Sequence, residues 1–237
     1  FNTTQDYNGN QDGNRWLVMM GMRNTNWSPY GKGWGACTVH PKVWNAFESG
    51  DKRKTASIID LVGEGIESSF DLKDQREYTG YTVKKYTPMA FADGTSASKA
   101  DGSGDFQTSQ HQDFVVVRYA DVLLMAAELG SSNAQLYFDK VRKRAGLTTK
   151  EPSQENIMKE RFVEFAFEGQ RYWDLLRQGI DVASSTIAES GIELKSGGNP
   201  DVITITADKI KTTKGFCQIP STQITLSDNV LKQNAGW

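Results

Sequence analysis

The chain has 237 residues, of which 38% are hydrophobic and 24% charged, and its 27 Lys+Arg stand against 29 Asp+Glu for a formal net charge of -2. That length buries a sizeable core, as one large domain or two small ones. The near balance of charge excludes the basic footprint of a nucleic-acid binder, and no apolar run reaches the roughly 18 to 20 residues that span a bilayer.

Taken in order, residues 1–14 are polar, rich in Asn, Gln and Gly, and without periodicity, so they read as a loop or a cut end. Neither a signal peptide nor an initiator Met is present, and Phe1 is not expected to be the native start. The apolar run RWLVMMGM (Arg15 to Met22), bounded by Gly and Asn, predicts a strand or buried extended segment with Trp16 in the core. The stretch RNTNWSPYGKGWGAC (Arg23 to Cys37) interleaves Trp27, Tyr30 and Trp34 with Asn, Ser, Pro and Gly. A pyranose presents a flat patch of C–H bonds flanked by hydroxyls, and rings held among amides in a loop suit that chemistry. The competing reading is that the three rings are hydrophobic pins tethering a Gly-rich loop.

PKVWNAF predicts a short helix through Trp44 and Phe47, followed by a turn at Gly50-Asp51, and Asp51 and Arg53 are placed to form an ion pair. Tyr81-Thr82-Val83 and Tyr86 are strand-like, and residues 93–112 are Gly/Ser-rich and read as a long exposed loop. Neither GxxxxGK[ST] nor GxGxxG after a strand occurs, which excludes a Gly-rich phosphate cradle. From Asp113, a possible cap, the pattern predicts a helix through VVVRYADVLLMAAEL to Gly130. A second helix is capped by Asn133, with Ala134, Phe138, Val141 and Ala145 in one stripe, and the short connection makes the two a helical hairpin.

The densest stretch is ENIMKERFVEFAFEGQRYWDLLRQG, Glu155 to Gly179, predicted as one long helix capped by Ser153 and ended by Gly179. Arg161, Glu164, Glu168, Arg171, Asp174 and Arg177 follow one another at helical spacing, so neighbours on its surface are expected to pair. Past Gly179 the chain reads as irregular, apart from a hairpin turning at Gly197-Gly198-Asn199 and a tail broken at Pro220. Cys37 and Cys217 lack CxxC or Cys/His spacing and read as separate thiols or one incidental bridge. His40 and His111 are the only histidines, too few for a zinc site or a His-based triad, and are expected in loops or caps. No metal and no cofactor is expected.

RYADVLLMAAEL (Arg118 to Leu129), VRKRAGL (Val141 to Leu147), KERFVEFAFEGQRYWDLLRQG (Lys159 to Gly179), QIPSTQITLSDN and the closing QNAGW resemble the carboxy-terminal half of the SusD/RagB family, as do GWG at Trp34 and FESGDKRKTASI upstream. The resemblance implies a mainly α, SusD-like fold, with tetratricopeptide-like helix pairs and a loop-rich ligand face carrying short strands. Residues 1–112 would be the ligand-facing part and 113–237 the helical scaffold, both within one domain whose amino-terminal half is absent here. It further implies a bacterial outer-membrane, cell-surface lipoprotein, with its lipid anchor on the missing part, that binds an oligosaccharide or polysaccharide and passes it to a TonB-dependent SusC-like transporter. The charges of the Arg161 to Arg177 series match a pattern shared by members with different ligands, which places them in the scaffold with Arg118, Asp121, Glu128, Asp51 and Arg53. The candidate ligand-binding residues are Trp27, Tyr30, Asn24 and Asn26, where members vary, and Trp34, which lies in the similar GWG element and by that likeness also reads as scaffold.

Two other readings remain at this stage. One is a helical scaffold that binds only its transporter partner. The other is a glycoside hydrolase using Glu160, Glu164 and Glu168, but hydrolysis needs carboxyl groups on opposite sides of the sugar, about 5 to 10 Å apart. Residues one turn apart on one helix crowd the same side, and interleaved arginines keep them ionised. No catalytic residue is assigned.

Overall fold

The structure, a computed structural model, describes residues 15–25, 27–89 and 114–237. The first run forms a helix, α1 (Arg15–Met20), and not the strand its sequence predicts. Six residues are too few for periodicity to separate the two states, and here Leu17, Val18 and Met20 are all buried while Met19 is exposed. The carbonyls that a helix leaves unpaired in its last turn accept from the following loop: Trp34 N–H donates to Val18 at 2.7 Å and Ala36 N–H to Met19 at 2.8 Å. That loop carries β1 (Met22–Arg23) and β2 (Lys32–Gly33), paired in parallel with Met22 opposite Lys32.

α2 (Pro41–Ala46) starts with Pro in its first turn and is capped by His40, whose Nδ1 accepts from Lys42 N–H at 2.9 Å. α3 (Arg53–Ser57) runs into β3 (Ile58–Asp60), which pairs antiparallel with β4 (Tyr81–Val83), Ile59 opposite Thr82. Two single 3-10 turns, Glu67–Ser69 and Leu72–Asp74, lie between these strands. α4 (Tyr119–Glu128) begins later than predicted. Three consecutive β-branched residues, Val115 to Val117, disfavour helix, and the expected cap Asp113 lies outside the described residues. α5 (Ala134–Arg144) packs on α4 as a hairpin, burying Phe138, Val141 and Ala145 of the predicted stripe.

The long helix predicted from Glu155 to Gly179 is broken into α6 (Gln154–Glu164) and α7 (Arg171–Leu176). Ser153 caps α6 as expected, accepting from Asn156 N–H. The break passes through Phe167 and Gly169, both with positive φ. Beyond it the chain is more regular than its sequence suggests: α8 (Ile180–Ile187), the predicted hairpin β5 (Glu189–Ser196) and β6 (Asn199–Ile205), α9 (Ala207–Thr213) and α10 (Ser221–Leu226) follow. The fold is therefore mainly helical, with short strands in pairs. Cys37 and Cys217 are both free thiols. Among the described residues no helix is long and apolar enough to cross a membrane.

Backbone proximity divides the chain into two compact units, 1–168 with 194–201 and 169–193 with 202–237. In the first unit α6 is shared between two cores. Ile157 and Met158 join Leu123, Leu124, Phe138 and Phe165, while Val163 joins Met20, Val39, Phe47, Ile58 and Val83. A third cluster, Met22, Tyr30, Ile59, Leu61, Ile66 and Tyr78, lies beneath the aromatic loop. In the second unit α8 packs on α7 and α9, and Tyr172 donates its hydroxyl to Gly215 O.

Candidate functional site

The carboxylates of Glu160, Glu164 and Glu168 bond partners distant in sequence, so for Glu164 and Glu168 the expected pairing along one helix surface extends to other parts of the chain. Glu160 takes Arg53 at 2.6 Å and Arg142 at 2.8 Å; Glu164 takes Arg53 at 2.9 Å, Arg118 at 2.7 Å and Arg144 at 2.5 Å. Glu168 takes Arg118 at 2.8 Å and Lys85, and Arg161 reaches Asp121 on α4 at 2.5 Å. Of the series, Arg177 and Asp174 form a pair three residues apart, at 3.1 Å. Arg53 also grips Asp51 through Nε and Nη2, so the expected Asp51–Arg53 pair is buried and part of the same network. Phe165 fills the gap, with the guanidiniums of Arg118 and Arg161 4.7 and 4.9 Å from its ring centroid.

Hydrolysis needs one carboxyl group kept protonated, and this network does the reverse. Burial opposes ionisation of Glu164, but its bonds from Arg118 and Arg53 outweigh that and hold its pKa below the ordinary carboxylate range. A cleft of about 200 Å³ opens beside the network, lined by Glu48, Asp51, Arg142, Lys150, Lys159 and Glu160. Within it Glu48 bonds both Arg142 and Lys150.

The aromatic loop is built differently. Trp27 and Tyr30 exchange backbone hydrogen bonds of 3.0 and 2.6 Å across Ser28-Pro29, a cis peptide, and Gly31 N–H donates to Pro88 O at 2.6 Å. Gly33 sits where β2 presses on α1: a Cβ there would lie 2.4 Å from Val18 O and 2.6 Å from Gly21 Cα. Gly33→Ala is expected to cost about 1–3 kcal/mol through overpacking, read as a lowered denaturation midpoint; an unchanged midpoint would show that β2 shifts freely.

On this frame Trp27 is 39% and Trp34 36% exposed, so each presents part of an indole to solvent. Tyr30 does not. It is 4% exposed, its ring belongs to the third core cluster, and its hydroxyl donates to Glu64 at 2.9 Å. Burial pushes its phenol pKa up. With its ring in the third core cluster, Tyr30 is placed as an anchor of the loop more than as an open platform. Trp16, partly buried, packs edge-on to Tyr86 and Phe114, as expected of a core residue. Asn24 is exposed, in the left-handed region at φ 50, and donates Nδ2 to Asp74. Asn26 lies outside the described residues.

Sequence reasoning passed over Arg23 and Asp74. Arg23 donates Nε to Asp74 O at 2.6 Å and Nη1 to Trp34 O at 3.0 Å. Gln75 and Thr25 both donate to the Arg23 carbonyl, at 3.3 and 3.1 Å. Only the position of Arg23 beside Asn24 hinted at this, because Asp74 comes from a turn 51 residues away.

A mainly helical protein with an internal ion-pair frame and a braced, ring-bearing surface loop is the class these features define. The chain belongs to the SusD family, whose sequence profile matches residues 64–237. It is 23% identical to the SusD-like protein P2 of Formosa agariphila, over 92% of this chain and 43% of that one. Among solved structures it is similar to surface glycan-binding protein A from Bacteroides thetaiotaomicron, with 25% identity, a TM-score of 0.71, and 98% of this chain and 49% of that one covered. It is also similar to a laminarin-binding SusD-like protein, at 25% identity and a TM-score of 0.67 over 99% of this chain and 47% of that one. The chain thus spans about half the length of these relatives.

Proposed function

We propose that the protein binds an oligosaccharide or polysaccharide non-covalently at the bacterial cell surface and hands it to a TonB-dependent SusC-like transporter, the whole being held at the outer membrane by a lipid anchor. The observation that carries the reading is the pair of part-exposed indoles, Trp27 and Trp34, on a loop whose backbone is fixed by α1, Pro88 and Tyr30. Rigid rings bind at low entropic cost, and a sugar face laid on them buries C–H surface while its hydroxyls stay at the rim. Asn24 is the amide described at that rim, and Asn26 is retained from the sequence alone as a second candidate. The binding of laminarin by one similar protein favours a neutral glucan as the ligand.

The hydrolase reading fares worse, since every carboxylate it needs is neutralised by arginine or lysine. Incubation of the full-length protein with laminarin and with a panel of other polysaccharides separates the two: retention on an immobilised glycan without new reducing ends is expected. Release of reducing ends that Glu164→Gln abolishes would overturn the non-catalytic reading. Failure to bind any glycan, together with co-purification with a barrel protein, would instead favour a scaffold that serves only the transporter.

A further inference from the structure

The polar frame beside Trp34 holds one donor and one acceptor side by side as a loose ion pair, with no hydrogen bond between them. Asp74 ends the 3-10 turn Leu72–Asp74, which is fixed by Asp71 accepting from Lys73 N–H at 3.0 Å. One carboxylate oxygen of Asp74, Oδ2, is occupied by Asn24 Nδ2. The other, Oδ1, lies 3.6 Å from Arg23 Nη2, too far for a hydrogen bond. The remaining nitrogens of Arg23 are committed to the carbonyls of Asp74 and Trp34. Among the described residues nothing donates to Asp74 Oδ1 and nothing accepts from Arg23 Nη2. The side chains of Arg23 and Asp74 are 30% and 39% exposed, so both groups reach solvent.

Two hydroxyls on adjacent carbons of a pyranose match such a gap: one donates to a carboxylate oxygen while its neighbour accepts from a guanidinium nitrogen. Groups already held in place by neighbours lose little freedom when they bind, and hydrogen bonds to charged groups are the stronger kind. Asn24 adopts the left-handed backbone that Asn tolerates better than most residues, and this directs its amide at Asp74. The charges of Arg23 and Asp74 offset each other, which fits a neutral sugar better than a uronate or a sulfated one.

We infer that Arg23 and Asp74, with Asn24 holding the carboxylate, form a vicinal-diol reader next to Trp34 that sets which neutral sugar the loop accepts. This rests on the glycan-binding reading above. The test compares a laminari-oligosaccharide with monodeoxy analogues lacking one hydroxyl of a vicinal pair, titrated calorimetrically against the full-length protein. The unaltered protein is expected to bind at least one analogue tenfold or more weakly than the parent. Asp74→Asn is expected to weaken the parent by a similar factor and to lose the discrimination, whereas Trp34→Ala weakens parent and analogue in parallel and keeps it. Asn24→Ser, which removes the brace but not the carboxylate, gives a partial loss and covers the case of a misfolded Asp74 variant. If Asp74→Asn binds the parent normally, or weakens parent and analogue equally, the diol reader is overturned and Asp74 is only a loop brace, while the glycan-binding reading stands. If the unaltered protein binds neither ligand, both fall.

Discussion

Replacing Glu164 with alanine is expected to lower the stability of the fold by about 3–5 kcal/mol, the range for removing one partner of a buried ion pair. The side chain is 1% exposed and receives hydrogen bonds from Arg53, Arg118 and Arg144, of which Arg53 is itself mostly buried. Without it Arg53 keeps Asp51 and Glu160, but Arg118 loses one of its two carboxylates in a part-buried position. The penalty comes from the desolvated cations left behind, more than from the lost attraction. Urea unfolding of the two proteins measures it, with the exposed Glu155–Lys159 pair as a control whose disruption should matter little. A loss below about 1 kcal/mol for Glu164→Ala would show that the network does not hold α6 to its neighbours.

The same carboxylate gives the pH dependence a sign. Its folded pKa is depressed by Arg118 and Arg53 against the opposing effect of burial. A depressed carboxylate contributes stability that is fully present above the unfolded value, about 4.3, and is lost as pH falls through the folded value. The unaltered protein should therefore weaken progressively below about pH 4, and Glu164→Gln should show a shallower acid decline. Equal slopes would assign the acid sensitivity to other groups.

The second large effect is on binding. Trp27→Ala and Trp34→Ala are each expected to weaken glycan affinity about tenfold or more, equivalent to about 1.4 kcal/mol, because tryptophans that meet a ligand face tend to dominate binding energy. Both rings are more than one third exposed, so thermal stability should change little. Tyr30→Ala provides the contrast: a buried core ring is removed, and stability falls by about 3–5 kcal/mol, lowering binding only through the loop it pins. A collapse in melting temperature on replacing Trp27 would instead identify that ring as a hydrophobic pin.

Local chemistry was legible in the sequence where it acts over a few residues. The Ser153 cap, the Phe138 to Ala145 stripe and the Gly197-Gly198 turn all form as read, because each depends on neighbours within one or two turns. α1 was not legible, since Leu17, Val18 and Met20 are all buried and five apolar residues in a row carry no period. The break between α6 and α7 had a signal in Gly169, masked by apolar residues that continue at helical spacing beyond it. The charged residues of the network could be picked out, but their partners could not, since Arg53 and Glu164 are 111 residues apart. Likewise Trp27 and Tyr30 look alike in a loop of Asn, Pro and Gly. Burial decides between platform and pin, and burial comes from Ile59, Leu61 and Ile66 packing beneath Tyr30, which the loop itself does not encode.

The most direct test of the account is oxidative footprinting of the indoles in the full-length protein, read by mass spectrometry with and without saturating laminarin. Trp27 and Trp34 should become protected while the exposed Trp173 stays reactive. Unchanged labelling of Trp27 and Trp34, under conditions where the glycan is shown to be bound, would contradict the placement of the site on this loop.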